Sequence, residues 1–177
     1  MRNIIYYVAM SLDGYITGPN ESYNGYVGEG SGLEQYLHDL KLFDTVIMGK
    51  NTYEFGFKFG NKPGMPAYEH MDHYIFSNTA SYPNKHEQVK IVKRDISVIN
   101  ELKNGQGTDI YLCGGGIFAG WVLENKLIDI LKIKLSPVIL GDGIPLFVNT
   151  NSRVNLELID HVVHDYGLIF LTYRINY

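Results

Sequence analysis

The chain has 177 residues, a formal net charge of −4, 45% hydrophobic residues and a single cysteine. That length fits one domain over 1–177 with material for a full core, and the scattered, mildly acidic charge argues against a nucleic-acid surface. One cysteine excludes an internal disulfide and a cysteine-built zinc site, and no apolar run nears the ~20 residues needed to span a bilayer.

The first segment, "NIIYYVAM" (3–10), is β-branched and aromatic without polar alternation. It reads as a buried strand rather than a signal peptide, so a cytoplasmic location is the default expectation. "SLDGYITG" (11–18) follows, with Asp13–Gly14 as a turn dipeptide. Asp13 is also a carboxylate at a strand end, near any ligand lying across a sheet. "SGLEQYLHDLKLF" (31–43) opens with Ser31 and Glu34 in capping-box spacing. Leu33, Tyr36, Leu37 and Leu40 then form the apolar stripe of an amphipathic helix.

"TVIMG" (45–49) is a second strand, running into a short helix at "KNTYEFG". There Gly49 permits close approach, Lys50 offers a cation, and Thr52 can cap the helix or bind an anion. It is not a P-loop, because Asp44 stands where the first glycine belongs. "HYIFS" (73–77) and "VKIV" (89–92) are the next strands, the first ending in "SNT" (77–79), whose Ser77, Asn78 and Thr79 can serve a nucleotide or only make a turn. "DISVINELKNG" (95–105) is a helix ended by Gly105. "DIYLC" (109–113) is a fifth strand, with Cys113 read as a small buried filler.

Gly114, Gly115 and Gly116 come next, before a helix starting at Ile117 and Phe118. "DILKIKLSPVIL" (129–140) alternates more than the earlier strands, "LGDGIPLF" (140–147) holds a turn, and "LELIDHVVH" and "GLIFLTYRI" follow as strands with no helix between. The pattern predicts a three-layer α/β domain with a mixed, mostly parallel sheet and an antiparallel C-terminal addition.

The run from Gly114 satisfies G-x-G-x-x-[G/A], but it comes late and precedes antiparallel sequence, which argues against a Rossmann fold. A glycine turn feeding a helix still presents unpaired N–H groups to an anion, or serves only as a turn. Three ligand-capable loops at three strand ends together point to a long phosphate-bearing ligand such as a dinucleotide. His70/His73 and His161/His164 are spaced i, i+3, which on a strand sends the rings to opposite faces, so no metal site is expected.

In order along the chain, "AMSLDGYITG", "FDTVIMGKNTYE", "IFSNT", "YLCGGGIFAGWVLENKLID" and "SPVILGDGIPLF" resemble the dihydrofolate reductase-like fold. The branch is that of the C-terminal reductase domain of the riboflavin-biosynthesis deaminase-reductase. The resemblance implies a homodimeric reductase that binds NADPH across the strand ends and passes hydride to a small heterocycle or carbonyl. On its pattern Lys50 meets the 2′-phosphate and Thr52 the pyrophosphate. Ser77, Asn78 and Thr79 lie beside the adenosine. Gly114 to Gly116, with the helix start at Ile117 and Phe118, lie beneath the pyrophosphate, Gly49 is a further cofactor-binding position, and Ala9 and Ile16 flank the nicotinamide. Asp13 is the carboxylate expected to handle the proton, and loop 18–32, with Tyr23 and Tyr26, the lid. Folate reductases carry a pterin-protonating carboxylate and a folate-clamping arginine. The matching places here are Gly32 to Leu33, with Glu34 adjacent, and Met71. Two alternatives stand: a folate reductase with a variant pterin site, and an NADP-binding protein without catalysis.

Overall fold

A computed structural model describes residues 1–177. In chain order the strands are β1 (Ile4–Ser11), β2 (Tyr15–Thr17), β3 (Thr45–Gly49), β4 (Asp72–Phe76), β5 (Val89–Val92), β6 (Ile110–Gly114), β7 (Ile130–Ser136), β8 (Ile144–Pro145), β9 (Asn155–Val163) and β10 (Ile169–Asn176). The α-helices are α1 (Ser31–Leu40), α2 (Lys50–Phe55), α3 (Ile96–Asn104) and α4 (Gly116–Glu124). Eight strands form one sheet in the order β5-β4-β3-β6-β1-β7-β10-β9, and β2 pairs with β8 separately.

Period-2 alternation within the buried strands divides the core in two. Ile4, Tyr6, Ile47 and Leu112 face α3 and α4, packing on Ile99, Phe118, Val122 and Leu123. Tyr7, Val46, Met48 and Tyr111 face the other way, onto Leu40 of α1 and Tyr53 of α2. A strand buried on both faces needs no polar alternation, which is why these segments read as continuous apolar runs. The helices on both faces complete the three layers.

Two expectations change. β7 is parallel to β1, with Tyr7 opposite Lys132 and Ala9 opposite Lys134; in the eight-stranded sheet only β10 runs against the others, antiparallel to both β7 and β9. The alternation in β7 comes from these two lysines on the face shared with Tyr7, not from an antiparallel partner. The helix α1 also sits differently. Its N-cap is Gly30 and Ser31 does not cap it. Instead Asp165 accepts the Ser31 N–H at 2.9 Å, and Ser31 Oγ accepts the Asp165 N–H at 3.2 Å. The buried face is Gly32, Asp39 and Leu40, while Leu33 and Leu37 are exposed. Gly32 packs closely on Leu168, where an added Cβ would stand 2.3 Å from Leu168 Cδ2.

No helix is long and apolar enough to cross a membrane.

Candidate functional site

The carboxyl ends of β3, β4, β5 and β6 open on one side of the sheet, and the glycine turn lies among them. Gly114 has φ +125°, a conformation that a side chain resists. A Cβ on Gly116 would meet Pro145 O at 2.4 Å, and one on Gly120 would meet Val148 O at 2.1 Å. Two of the glycines in this stretch therefore let the 144–148 backbone cross α4 closely. Gly115 donates its N–H to Thr52 Oγ1 at 2.8 Å, which ties α2 to the turn. The first-turn N–H groups of Gly116, Ile117 and Phe118 have no acceptor, and no side chain caps the helix. The glycines serve both packing and an open helix start.

A cavity of about 390 Å³ runs from this turn across the strand ends. Ile16, Gly49, Lys50, Thr52, Ser77, Asn78, Thr79 and Gly114 to Phe118 all line it. So does Arg94, just past β5, which sequence reasoning passed over; its guanidinium lies 5.4 Å from the Trp121 ring centroid. A basic residue following the fourth parallel strand was the available signal. Lys50 pairs with Glu54 at 3.7 Å, both half-exposed. Such an i, i+4 pair contributes about 0.3–0.5 kcal/mol, so a phosphate that offers a charged hydrogen bond of about 1.5–3 kcal/mol outcompetes it. Ser77 Oγ accepts the N–H groups of Thr79 and Ala80 and so shapes the 77–80 turn.

An inner cavity of about 310 Å³ adjoins the first. Val8, Ile16, Tyr23, Thr52, Phe55 and Cys113 line both. Ala9 lines the inner one only. Its walls are largely aromatic: Tyr7, Tyr36, Tyr53, Phe59, Tyr68 and Tyr111 join the shared Tyr23 and Phe55. Tyr36 and Tyr111 share a hydrogen bond at 3.0 Å between hydroxyls. Burial pushes the Tyr36 phenol up to about 12 and the Tyr111 phenol well above its usual range, so both are neutral.

Cys113 is partly buried against the core, as a filler would be, but it also lines both cavities. The β3–β6 register skips it, pairing Ile47 with Leu112 and Met48 with Gly114, so it is the extra residue of a bulge. Its thiol lies on the Tyr111 face of the strand, 3.6 Å from Tyr68 Oη, where both cavities meet it. Burial raises its pKa, which keeps the thiol protonated.

Asp13 lines neither cavity. Its carboxylate accepts from Ser11 Oγ at 2.6 Å and from the N–H groups of Leu140 and Gly141 at 3.1 and 2.7 Å. The Ser11 contact above all holds its pKa at about 2. It fastens the 137–141 loop to the end of β1.

Loop 18–32 lies beside both cavities. Glu21 and Tyr23 reach the outer one, and Tyr23 packs edge-on against Tyr26 and Phe59 and tilted against Phe55. Tyr26 is an anchor, donating to Tyr15 O at 2.7 Å.

Lys134 is the other residue that sequence reasoning passed over. It enters the inner cavity with Nζ 3.3 Å from the Tyr36 ring centroid. Its position opposite Ala9 is visible only once the register of β7 is known.

The donor set suits a phosphate-bearing dinucleotide: open N–H groups at the start of α4, a glycine turn with bare backbone, and the cations Lys50 and Arg94 along one cavity. No group of three His, Cys, Asp or Glu side chains is placed to hold a metal.

The family model of the RibD C-terminal domain matches residues 2–170. YwjB, an uncharacterized protein of Bacillus subtilis strain 168, is 31% identical over 169 residues, covering 89% of each chain. A Shewanella sp. PV-4 protein assigned to riboflavin biosynthesis is 25% identical and superposes with a TM-score of 0.83 over 100% of both chains. The Thermotoga maritima diaminohydroxyphosphoribosylaminopyrimidine deaminase/5-amino-6-(5-phosphoribosylamino)uracil reductase gives 0.70 at 17% identity, over 99% of this chain and 57% of that one. Dihydrofolate reductase of Enterococcus faecalis, complexed with NADP(H), gives 0.63 at 14% identity, over 99% and 97%. These last two show the fold, which is dihydrofolate reductase-like.

Proposed function

The chain belongs to the RibD C-terminal domain family, and from that membership and its paired cavities we propose an NADPH-dependent reductase of a small heterocyclic or carbonyl substrate. The observation that carries this reading is the contact between the two cavities. A cleft lined by groups suited to phosphate shares Val8, Ile16, Thr52 and Cys113 with an adjoining aromatic pocket sized for a ring.

When bound, NADPH would supply hydride to an electron-poor C=O or C=N carbon. The chain's part is to place that exchange. The N–H groups of Gly116, Ile117 and Phe118 would receive the pyrophosphate, Lys50 and Arg94 the 2′-phosphate, and Ser77 to Thr79 would border the adenosine. Ala9 of the inner pocket and Ile16, which lines both cavities, would flank the nicotinamide, and the surrounding rings would exclude water from it.

The folate alternative finds little support in the inner site. Gly32 lies tight against Leu168, Leu33 and Glu34 are exposed, and Met71 is fully buried in the core. Neither the pterin carboxylate nor the folate arginine has a counterpart at those positions.

A homodimer forms part of the same reading. The edge strand β9 is exposed along its whole length and carries Leu156, Leu158, Ile159, Val162 and Val163. The start of α1, which meets the β9–β10 connection through Ser31 and Asp165, adds exposed Leu33 and Leu37. An uncovered apolar edge of this length invites pairing with a second copy.

The reductase reading is tested by following NADPH oxidation against a panel of pterins, pyrimidines, flavins and quinones. Oxidation dependent on one acceptor class supports it. Tight NADPH binding with no acceptor reduced would instead identify a nucleotide-binding protein without catalysis.

A further inference from the structure

The cations held inside this protein are paired, with one exception. Arg2 pairs with Asp44, Lys103 with Asp129, and Lys132 with Asp39, which also accepts from Tyr7 Oη at 3.0 Å. Lys134, two residues along from Lys132, has no carboxylate and no hydrogen-bond acceptor among the protein's ion pairs and polar contacts; its nearest groups are rings. Nζ lies 3.3 Å from the Tyr36 centroid and 6.0 Å from that of Tyr7. An ammonium placed among aromatic walls without a partner is costly unless something else occupies its donors. The inner cavity is where those donors can be used, and no other cation lines it.

We infer that the inner cavity takes a flat, phosphate-free heterocycle bearing a ring carbonyl, and that Lys134 meets its heteroatom and supplies the proton that completes reduction. This rests on the reductase reading above for the hydride, but not for the binding. The aromatic walls accept the faces of a planar ring. A single cation at one side suits one carbonyl oxygen or a ring anion, whereas a phosphate ester would need further positive charge that this lining lacks.

In the reduction the acceptor carbon gains hydride and the π pair moves to its oxygen or nitrogen. The Nζ–H bond of Lys134 breaks as the new O–H or N–H bond forms, and the amine recovers a proton from solvent. Burial brings the Lys134 pKa down to about 8, so the donor remains protonated at neutral pH yet gives its proton up readily. The other titratable groups facing it are Tyr7 from β1, Tyr36 from α1, Tyr68, and Tyr111 and Cys113 from β6. Among them Tyr36, Tyr68, Tyr111 and Cys113 are all shifted toward their neutral forms by burial.

The test uses pteridine-2,4-dione as the probe, titrated into the full chain without cofactor and followed by absorbance and fluorescence. Wild type, Lys134→Met and Lys134→Gln are compared for probe affinity, NADPH affinity and melting temperature. The inference expects the dione to bind wild type and both variants to lose at least tenfold in affinity. NADPH affinity stays unchanged, and Lys134→Met melts no lower than wild type, because it removes an unpaired charge. Inorganic phosphate does not compete with the dione. Equal dione affinity in wild type and variants overturns the role of Lys134, as does a lower melting temperature with lost NADPH binding in both variants. Absence of dione binding to wild type, or displacement by inorganic phosphate, overturns the substrate class. Failure of NADPH to bind the wild type would strike the reductase reading and leave the pocket result standing on its own.

Discussion

Thr52 Oγ1 accepts the N–H of Gly115 at 2.8 Å, joining the first turn of α2 to the turn that precedes α4. The contact spends the Gly115 donor inside the protein and aims the next three N–H groups outward. Thr52 is thereby a positioning residue as well as a lining one. Thr52→Val should weaken NADPH binding about two- to tenfold, the worth of one neutral hydrogen bond, whereas Thr52→Ser should retain it. Isothermal titration of the three proteins measures this. Equal affinity in Thr52→Val would mean that the turn holds its shape unaided.

Asp13 binds the 137–141 loop rather than facing either cavity. Asp13→Asn should lower thermal stability at neutral pH while turnover persists below the melting transition. Its folded-state pKa of about 2 lies below that of an unfolded aspartate. The stabilisation is therefore full above about pH 4 and is lost as pH falls toward 2. The stability gap between wild type and Asp13→Asn should close over that window. Abolished turnover in a folded Asp13→Asn protein would return this carboxylate to the chemistry.

His73 is fully buried and neutral. Burial lowers its pKa to about 4, and its Nε2 accepts the N–H groups of Ala67 and Tyr68, both of which line the inner cavity. Since the folded pKa is depressed below about 6.5, the unfolded chain binds the extra proton first. Stability is full above that value and falls as pH drops toward 4, by about 3 kcal/mol in all. Denaturant unfolding from pH 7 to pH 4 should show this loss, and a His73→Gln variant should lack it. A flat profile in the wild type would contradict the neutral, buried imidazole.

The exposed residues Leu156 and Leu158 lie on the uncovered edge strand β9. Replacing both by glutamate should convert a dimer into a folded monomer, read by light scattering after gel filtration. An unchanged dimer would place the interface elsewhere, and a monomeric wild type would remove it.

The strands and helices were legible because burial on both faces leaves unbroken apolar runs, as in residues 3–10 and 45–49, and because Gly105 marks a helix end. Direction was not legible for β7. Lys132 and Lys134 imitate the alternation of a half-solvated strand, although one meets Asp39 and the other a cavity. The cleft was readable from loops that follow strands, since Gly49, Ser77 and Gly114 each sit at a strand terminus. The inner pocket was not, because its walls come from distant segments and its polar group is a strand lysine with no motif around it. Cys113 misled for a related reason: its apolar run shows burial but not the two cavities it borders. Ser31 and Glu34 had capping-box spacing, yet the partner that reached the helix start was Asp165, a tertiary contact.

The most direct test of the account is a fluorescence titration of wild type, Lys50→Ala and Arg94→Ala with NADPH and NADH. A charged hydrogen bond to the 2′-phosphate should favour NADPH over NADH by about 1.5–3 kcal/mol, or roughly 10- to 150-fold. The account predicts that preference in the wild type, its loss in Lys50→Ala and its reduction in Arg94→Ala, with NADH affinity nearly constant throughout. Equal binding of the two nucleotides by the wild type, or no binding of either, would contradict it.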